Sequence, residues 1–170
     1  MSKNISLIGF MGTGKTSVGK VLARRLKRPV VDVDRYVEVM SKKKISEIFE
    51  KEGEAAFRAL EKDAIRRICE RREIVITTGG GAALDPENIT ALKGSGWVIG
   101  LSASPQTIFS RVKNSRHRPL LDGKDQLTEI QRLLEVRRPF YEKADLYFDT
   151  DDRSPSRTAG LILKTLASKL

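Results

Sequence analysis

Eight consecutive residues near the start of the chain, Gly9-Phe10-Met11-Gly12-Thr13-Gly14-Lys15-Thr16, constrain the fold more than any other feature. They match G-x-x-x-x-G-K-[ST], a phosphate-cradling loop when a β-strand feeds it and an α-helix leaves it. Both neighbours are present. Asn4-Ile5-Ser6-Leu7-Ile8 reads as a strand, and residues 15–26 read as a helix that stops ahead of Pro29. Glycines let successive backbone N–H groups converge on one anion, and the helix N-terminus adds its partial positive charge. Chance produces the pattern in about one sequence in a hundred at ordinary glycine content. Gly12, Thr13, Gly14, Lys15, Thr16 and Ser17 are therefore assigned to the phosphates of ATP. Lys15 bridges the β- and γ-phosphates, and the Thr16 hydroxyl ligates Mg2+.

Downstream, strand and helix patterns alternate. Val30-Val31-Asp32-Val33 reads as a second strand, and residues 45–72 as helix broken at Gly53. Residues 74–77 form a third strand that ends in Gly79-Gly80-Gly81. A short helix spans roughly residues 87–93 and a fourth strand residues 97–101, after which Ser104-Pro105 supplies the cap and first residue of a helix. A helix over residues 127–137, a strand over 146–148 and a closing helix over 156–170 complete the chain. Such alternation implies βαβ units, hence an α/β protein with a parallel sheet between helices on both faces. At 170 residues it suits one domain. The stretch 113–125 is polar, basic and aperiodic, longer than an ordinary connection, and reads as a lid.

Composition closes off other classes. No apolar run approaches the ~20 residues of a membrane span, and no secretory leader pattern follows Met1. Cys69 is the single cysteine, which excludes an intrachain disulfide and suits a reducing cytoplasm. The net charge of +10 comes from scattered basic pairs with no continuous arm, so solvated helix faces account for it and no nucleic-acid partner is expected.

Phosphoryl transfer also needs a carboxylate. Asp32 and Asp34 end the second strand, and a spacing of two puts both side chains on one side if the strand persists. Ligands bind beyond the carboxyl ends of such strands. Asp32 is a candidate Mg2+ partner through water, and Asp34 a candidate acceptor for a substrate hydroxyl. The structural alternative is that either one caps a helix starting at Arg35.

Four further segments complete a pattern: Phe57-Arg58-x-x-Glu61, Thr78-Gly79-Gly80-Gly81, Arg118-Pro119-Leu120-Leu121 and Arg137-x-Pro139-x-Tyr141. With the phosphate loop and Asp32-x-Asp34, in this order over nearly the whole chain, they resemble the shikimate kinases. The resemblance implies a three-layer P-loop fold with five parallel strands in the order 2-3-1-4-5, a mobile lid, and a substrate-binding helical region over about residues 34–60. It implies transfer of the γ-phosphoryl group of ATP to shikimate, with Lys15, Asp34 and Arg118 catalytic. Shikimate contacts fall on Asp34, Arg58, Gly79, Gly80, Gly81 and Arg137, which suits an acid with three hydroxyls, because guanidinium forks match a carboxylate. Arg111 and Arg153 fall beside adenine, and Arg118 reaches the phosphates from the lid. The expectation is a monomeric cytoplasmic enzyme that takes ATP, Mg2+ and shikimate and engages neither nucleic acid nor membrane. The competing readings are a gluconate-type kinase on the same scaffold and a non-catalytic ATP- or nucleic-acid-binding protein.

Overall fold

A computed structural model describes residues 3–113 and 125–169. Its centre is β1 (Asn4–Gly9), buried along its whole length. Parallel to it on one side run β3 (Val75–Thr77) and then β2 (Val30–Asp32). On the other side run β4 (Gly96–Ser102) and β5 (Leu146–Asp149). The strand order is therefore 2-3-1-4-5, as the family resemblance implied.

Period-two alternation divides the apolar side chains of the strands between two layers. Ile5 and Leu7 of β1, Val75 of β3, and Ile99 and Leu101 of β4 pack on α1 (Lys15–Leu26) and α7 (Pro155–Ala167). Ile8, Ile76 and Val98 point the other way, into the larger layer. That layer is built from α2 (Val33–Ser41), α3 (Ile45–Cys69), α4 (Pro86–Ser95), α5 (Pro105–Val112) and α6 (Gln126–Tyr141). Among the described residues no helix is long and apolar enough to cross a membrane.

Local chemistry explains the boundaries. Gly53, at φ 84° and ψ 172°, interrupts α3 where the sequence placed a break. Ser104 accepts from the Thr107 amide with Pro105 next, and the same cap-then-proline device opens α4 at Asp85-Pro86 and α7 at Ser154-Pro155. The last two helices thus begin one residue before the positions read from sequence. The second strand is one residue shorter than read. It stops at Asp32, because that carboxylate accepts from the Arg35 amide at 3.1 Å and starts α2 at Val33.

Asn4, at the outset of β1, ties the far end of α3 to β3. Its amide donates to Arg71 O at 2.8 Å and its oxygen accepts from the Ile74 amide at 3.2 Å, with the residue fully buried. Asn4→Ala leaves two backbone groups without partners and should cost about 3 kcal/mol. In urea unfolding the midpoint should fall at unchanged slope, and a midpoint equal to that of the parent protein would refute the role.

Candidate active site

The loop after β1 turns through two left-handed glycines, Gly12 at φ 76° and Gly14 at φ 89°. Gly14 is the residue before α1, and no side chain caps that helix, which leaves its opening amides to a ligand. Lys15 is 8% exposed and folds back over the loop, its Nζ donating to the Gly9 and Phe10 carbonyls at 2.8 Å each. Thr16 and Ser17 are exposed at the mouth. Thr13 is buried and serves the loop itself, its hydroxyl donating to Phe10 O at 2.8 Å.

This loop forms one wall of a cleft of about 590 Å3 at the carboxyl edge of the sheet. Gly12, Gly14, Lys15, Thr16 and Ser17 line that wall, with Asp32, Asp34, Thr78, Gly79, Gly80 and Arg111 opposite and around it. Asp32 and Asp34 do share the cleft, but by a different route from a continued strand. Asp32 ends β2 and is held from two sides, by the Arg35 amide and by the Thr77 hydroxyl at 2.7 Å. Asp34 rides on the first turn of α2. Its Oδ1 is buried with no hydrogen-bond partner. Burial is the main reason its carboxyl is raised above the usual range, reinforced by Asp32 and opposed by Lys15 and Arg58.

Arg58, on α3, forks between Glu54 at 3.0 Å and Glu61 at 2.7 Å. Residues three apart on a helix are neighbours, so Arg58 and Glu61 could pair at the surface. The pair exists, but Glu61 is 1% exposed, one of its oxygens is unpartnered, and burial pushes its carboxyl up against the opposing pull of Arg58. The glycine triplet accommodates this cluster. A Cβ on Gly79 would lie 2.8 Å from Asp34 Oδ1 and 3.2 Å from Glu61 Oε1, and one on Gly81 would collide with the Arg58 guanidinium. Arg137, on α6, carries its guanidinium 5.7 Å from the Phe10 ring centroid, and its charge is felt at the Tyr141 hydroxyl. The Tyr141 hydroxyl in turn donates to Gly80 O. Arg58 thus abuts the glycine segment and Arg137 sits on the helix whose Tyr141 bonds to it; neither arginine lines the cleft itself, and Arg138 faces solvent.

Arg111 lines the cleft and clasps its rim, donating to Gly12 O at 3.0 Å, Thr150 Oγ1 at 3.1 Å and Thr150 O at 2.9 Å. Arg153, between β5 and α7, donates to Asp149 O at 2.5 Å and does not line the cleft. Arg118 lies outside the described residues, as does nearly all of the 113–125 segment. Sequence reasoning gave no role to Thr78, Tyr141 or Thr150. Thr78 and Tyr141 stood within motifs without a role of their own, and Thr150 carried only its position after a strand.

The donor set suits a hard cation. Thr16 and Asp32 offer oxygens in one cleft, and among the described residues no group of three His, Cys, Asp or Glu could cage a metal. An ion held there would need water and phosphate oxygens to complete its shell, the habit of Mg2+.

Removing one partner from a largely buried ion pair strands the other. Arg58→Ala should cost about 2 kcal/mol at pH 7.5, below the fully buried range because Arg58 is part-exposed. Without Arg58 the Glu61 carboxyl rises further, so the deficit is full above that raised value. It shrinks as the pH falls towards the ordinary 4.5 and Glu61 takes up a proton. Denaturant unfolding of variant and parent at pH 7.5 and 5 measures this, and a deficit that grows in acid would refute it.

Comparison with known proteins agrees with this geometry. The family model described as shikimate kinase matches residues 11–167. The shikimate kinase of Thermodesulfovibrio yellowstonii is 47% identical over 162 residues, covering 95% of this chain and 94% of that protein. The shikimate kinase of Caldicellulosiruptor saccharolyticus is 42% identical over 167 residues, covering 98% and 97%. The solved shikimate kinase of Acinetobacter baumannii, in complex with shikimate, superposes with a TM-score of 0.94 at 35% identity, over 99% of this chain and 95% of that one. With a matching sequence, strand order and phosphate loop, the chain belongs to the shikimate kinase family.

Proposed function

We propose that this chain transfers the γ-phosphoryl group of ATP to a hydroxyl of shikimate, giving ADP and shikimate 3-phosphate. One observation carries the reading: Asp34, with a buried oxygen lacking a partner, shares a cleft with the phosphate loop and feels both Lys15 and Arg58. A donor phosphate and an acceptor hydroxyl can therefore meet in one place. The Acinetobacter baumannii relative was solved with shikimate, which supports that acceptor here.

In this reading the amides of Gly12 to Ser17 and the Lys15 ammonium hold the triphosphate, with Lys15 exchanging its two carbonyl partners for phosphate oxygens. Arg58 and Arg137 hold the acceptor carboxylate beside Gly79, Gly80 and Gly81. The Asp34 carboxylate accepts the hydrogen bond of the attacking hydroxyl and aims its oxygen at the γ-phosphorus. Phosphoryl transfer rests on positioning and charge neutralisation, and Lys15 supplies both. Mg2+ on Thr16, and on Asp32 through water, would offset charge between the phosphates. Arg111 and Arg153 are assigned to the adenine end, and Arg118 to the charge on the transferred group. A monomeric cytoplasmic enzyme is the expectation that accompanies this assignment.

Purified protein with ATP and Mg2+ should release ADP only when shikimate is added, and ADP release indifferent to shikimate would overturn the reading. Lys15→Ala should lower turnover by at least about 10²-fold, since it removes the charge facing the phosphates. Asp34→Asn should depress kcat for shikimate by about 10²-fold or more while ATP still binds. A coupled ADP assay reads both, and near-parent rates would remove the residue from its role.

A further inference from the structure

Within Arg137-x-Pro139-x-Tyr141 the chemistry above leaves Tyr141 unused. Tyr141 closes α6 at 2% exposure, and its hydroxyl donates to Gly80 O at 2.6 Å, at the short end for such a bond. The guanidinium of Arg137, four residues earlier and so on the same helical face, sets its positive charge against that hydroxyl. The Arg137 guanidinium also lies over the ring of Phe10, in the phosphate loop. It thus has an aromatic face on one side and the Tyr141 hydroxyl as its helical neighbour, and the phenol proton is committed to Gly80. Burial pushes the phenol up to about 12, so at neutral pH it stays a donor.

We propose that Tyr141 is a positioning residue for the acceptor site, its hydroxyl fixing the Gly80 peptide and the Arg137 guanidinium in one arrangement before substrate arrives. This rests on the shikimate kinase reading. Tyr141 touches no reacting atom and acts through its two partners. A long arginine ordered in advance surrenders less rotamer freedom when the carboxylate binds. The carboxylate is remote from the bond being made, so its contact is equally strong in ground and transition states. Loss of the preordering should therefore appear in KM and not in kcat.

The test is Tyr141→Phe, which keeps the ring and removes only the hydroxyl. The KM and the calorimetric Kd for shikimate should rise about tenfold, the size of one lost hydrogen bond. The KM for ATP and kcat should stay within about twofold. In an Arg137→Ala background most of the shikimate effect should vanish, because the hydroxyl acts through that arginine. An equal rise in both KM values, or the same tenfold penalty with Arg137 absent, would overturn the proposal. Should the Phe variant fail to fold, Tyr141→His, which keeps a ring N–H donor, takes its place. A selective rise in shikimate KM then supports the proposal, and losses shared by both substrates overturn it. The unsubstituted protein is the control that separates the two readings. If it does not phosphorylate shikimate, the parent reading falls first; if it does and the Phe variant matches it, only this inference falls.

Discussion

In a parallel sheet every strand delivers its carboxyl end to the same edge, and the central strand decides what stands at the middle of that edge. Here the central strand is β1, paired to β3 on one side and β4 on the other, with each of its six residues buried. Its outflow is the phosphate loop. Its neighbour β3 flows out into the glycine triplet, and β2 beyond it into Asp32 and the first turn of α2. The three outflows are neighbours because the strands are. Asp34, the loop and the triplet therefore meet without any long-range folding event beyond the pairing of β1, β2 and β3.

The cations around the cleft share one property. Each already leans on an acceptor within the protein. Lys15 uses two loop carbonyls, Arg111 the Gly12 carbonyl and Thr150, Arg58 the carboxylates of Glu54 and Glu61, and Arg137 the face of the Phe10 ring. Three of the four rest on neutral groups, weaker partners than phosphate or carboxylate oxygens. Exchange for an anionic substrate is then downhill, and no bare cation has to be stabilised in the meantime. Arg58 is the exception, since it serves a carboxylate that burial already disfavours. Its two-pronged fork lets it keep Glu61 while releasing the more exposed Glu54, whose side chain is 61% accessible.

What could be read from the sequence is what local chemistry decides. The loop from Gly9 to Thr16 fixes its own flanks because its function lies in the backbone, and Gly53 and Ser104-Pro105 act on their own residues. The second strand escaped because Val30-Val31-Asp32-Val33 has β-branched residues on both sides of the true end. Only the bond from the Arg35 amide to Asp32 shows that helix begins at Val33. Within the site, Arg58 and Glu61 three residues apart look the same whether solvated or buried. The difference is made by α4 and by the close approach of Gly79, both distant in sequence. Tyr141 was visible as part of a motif, yet its partner Gly80 lies 61 residues away, so no local pattern could assign it.

The two halves of the cleft do not depend on separate loops for their spacing. Thr78 donates its amide and its hydroxyl to Leu7 O, at 3.3 and 3.0 Å, which continues the β1–β3 pairing past Thr77 to the start of the triplet. A Cβ on Gly80 would sit 3.3 Å from the Met11 amide, so the triplet lies directly on the phosphate loop. The phosphate grip and the acceptor grip therefore share one wall, whose thickness is set by sheet hydrogen bonds and glycine's lack of a side chain. An error of about 1 Å between reacting atoms can cost roughly 10²-fold in rate. On the proposed assignment both substrates sit on one hydrogen-bonded ladder, which removes that error.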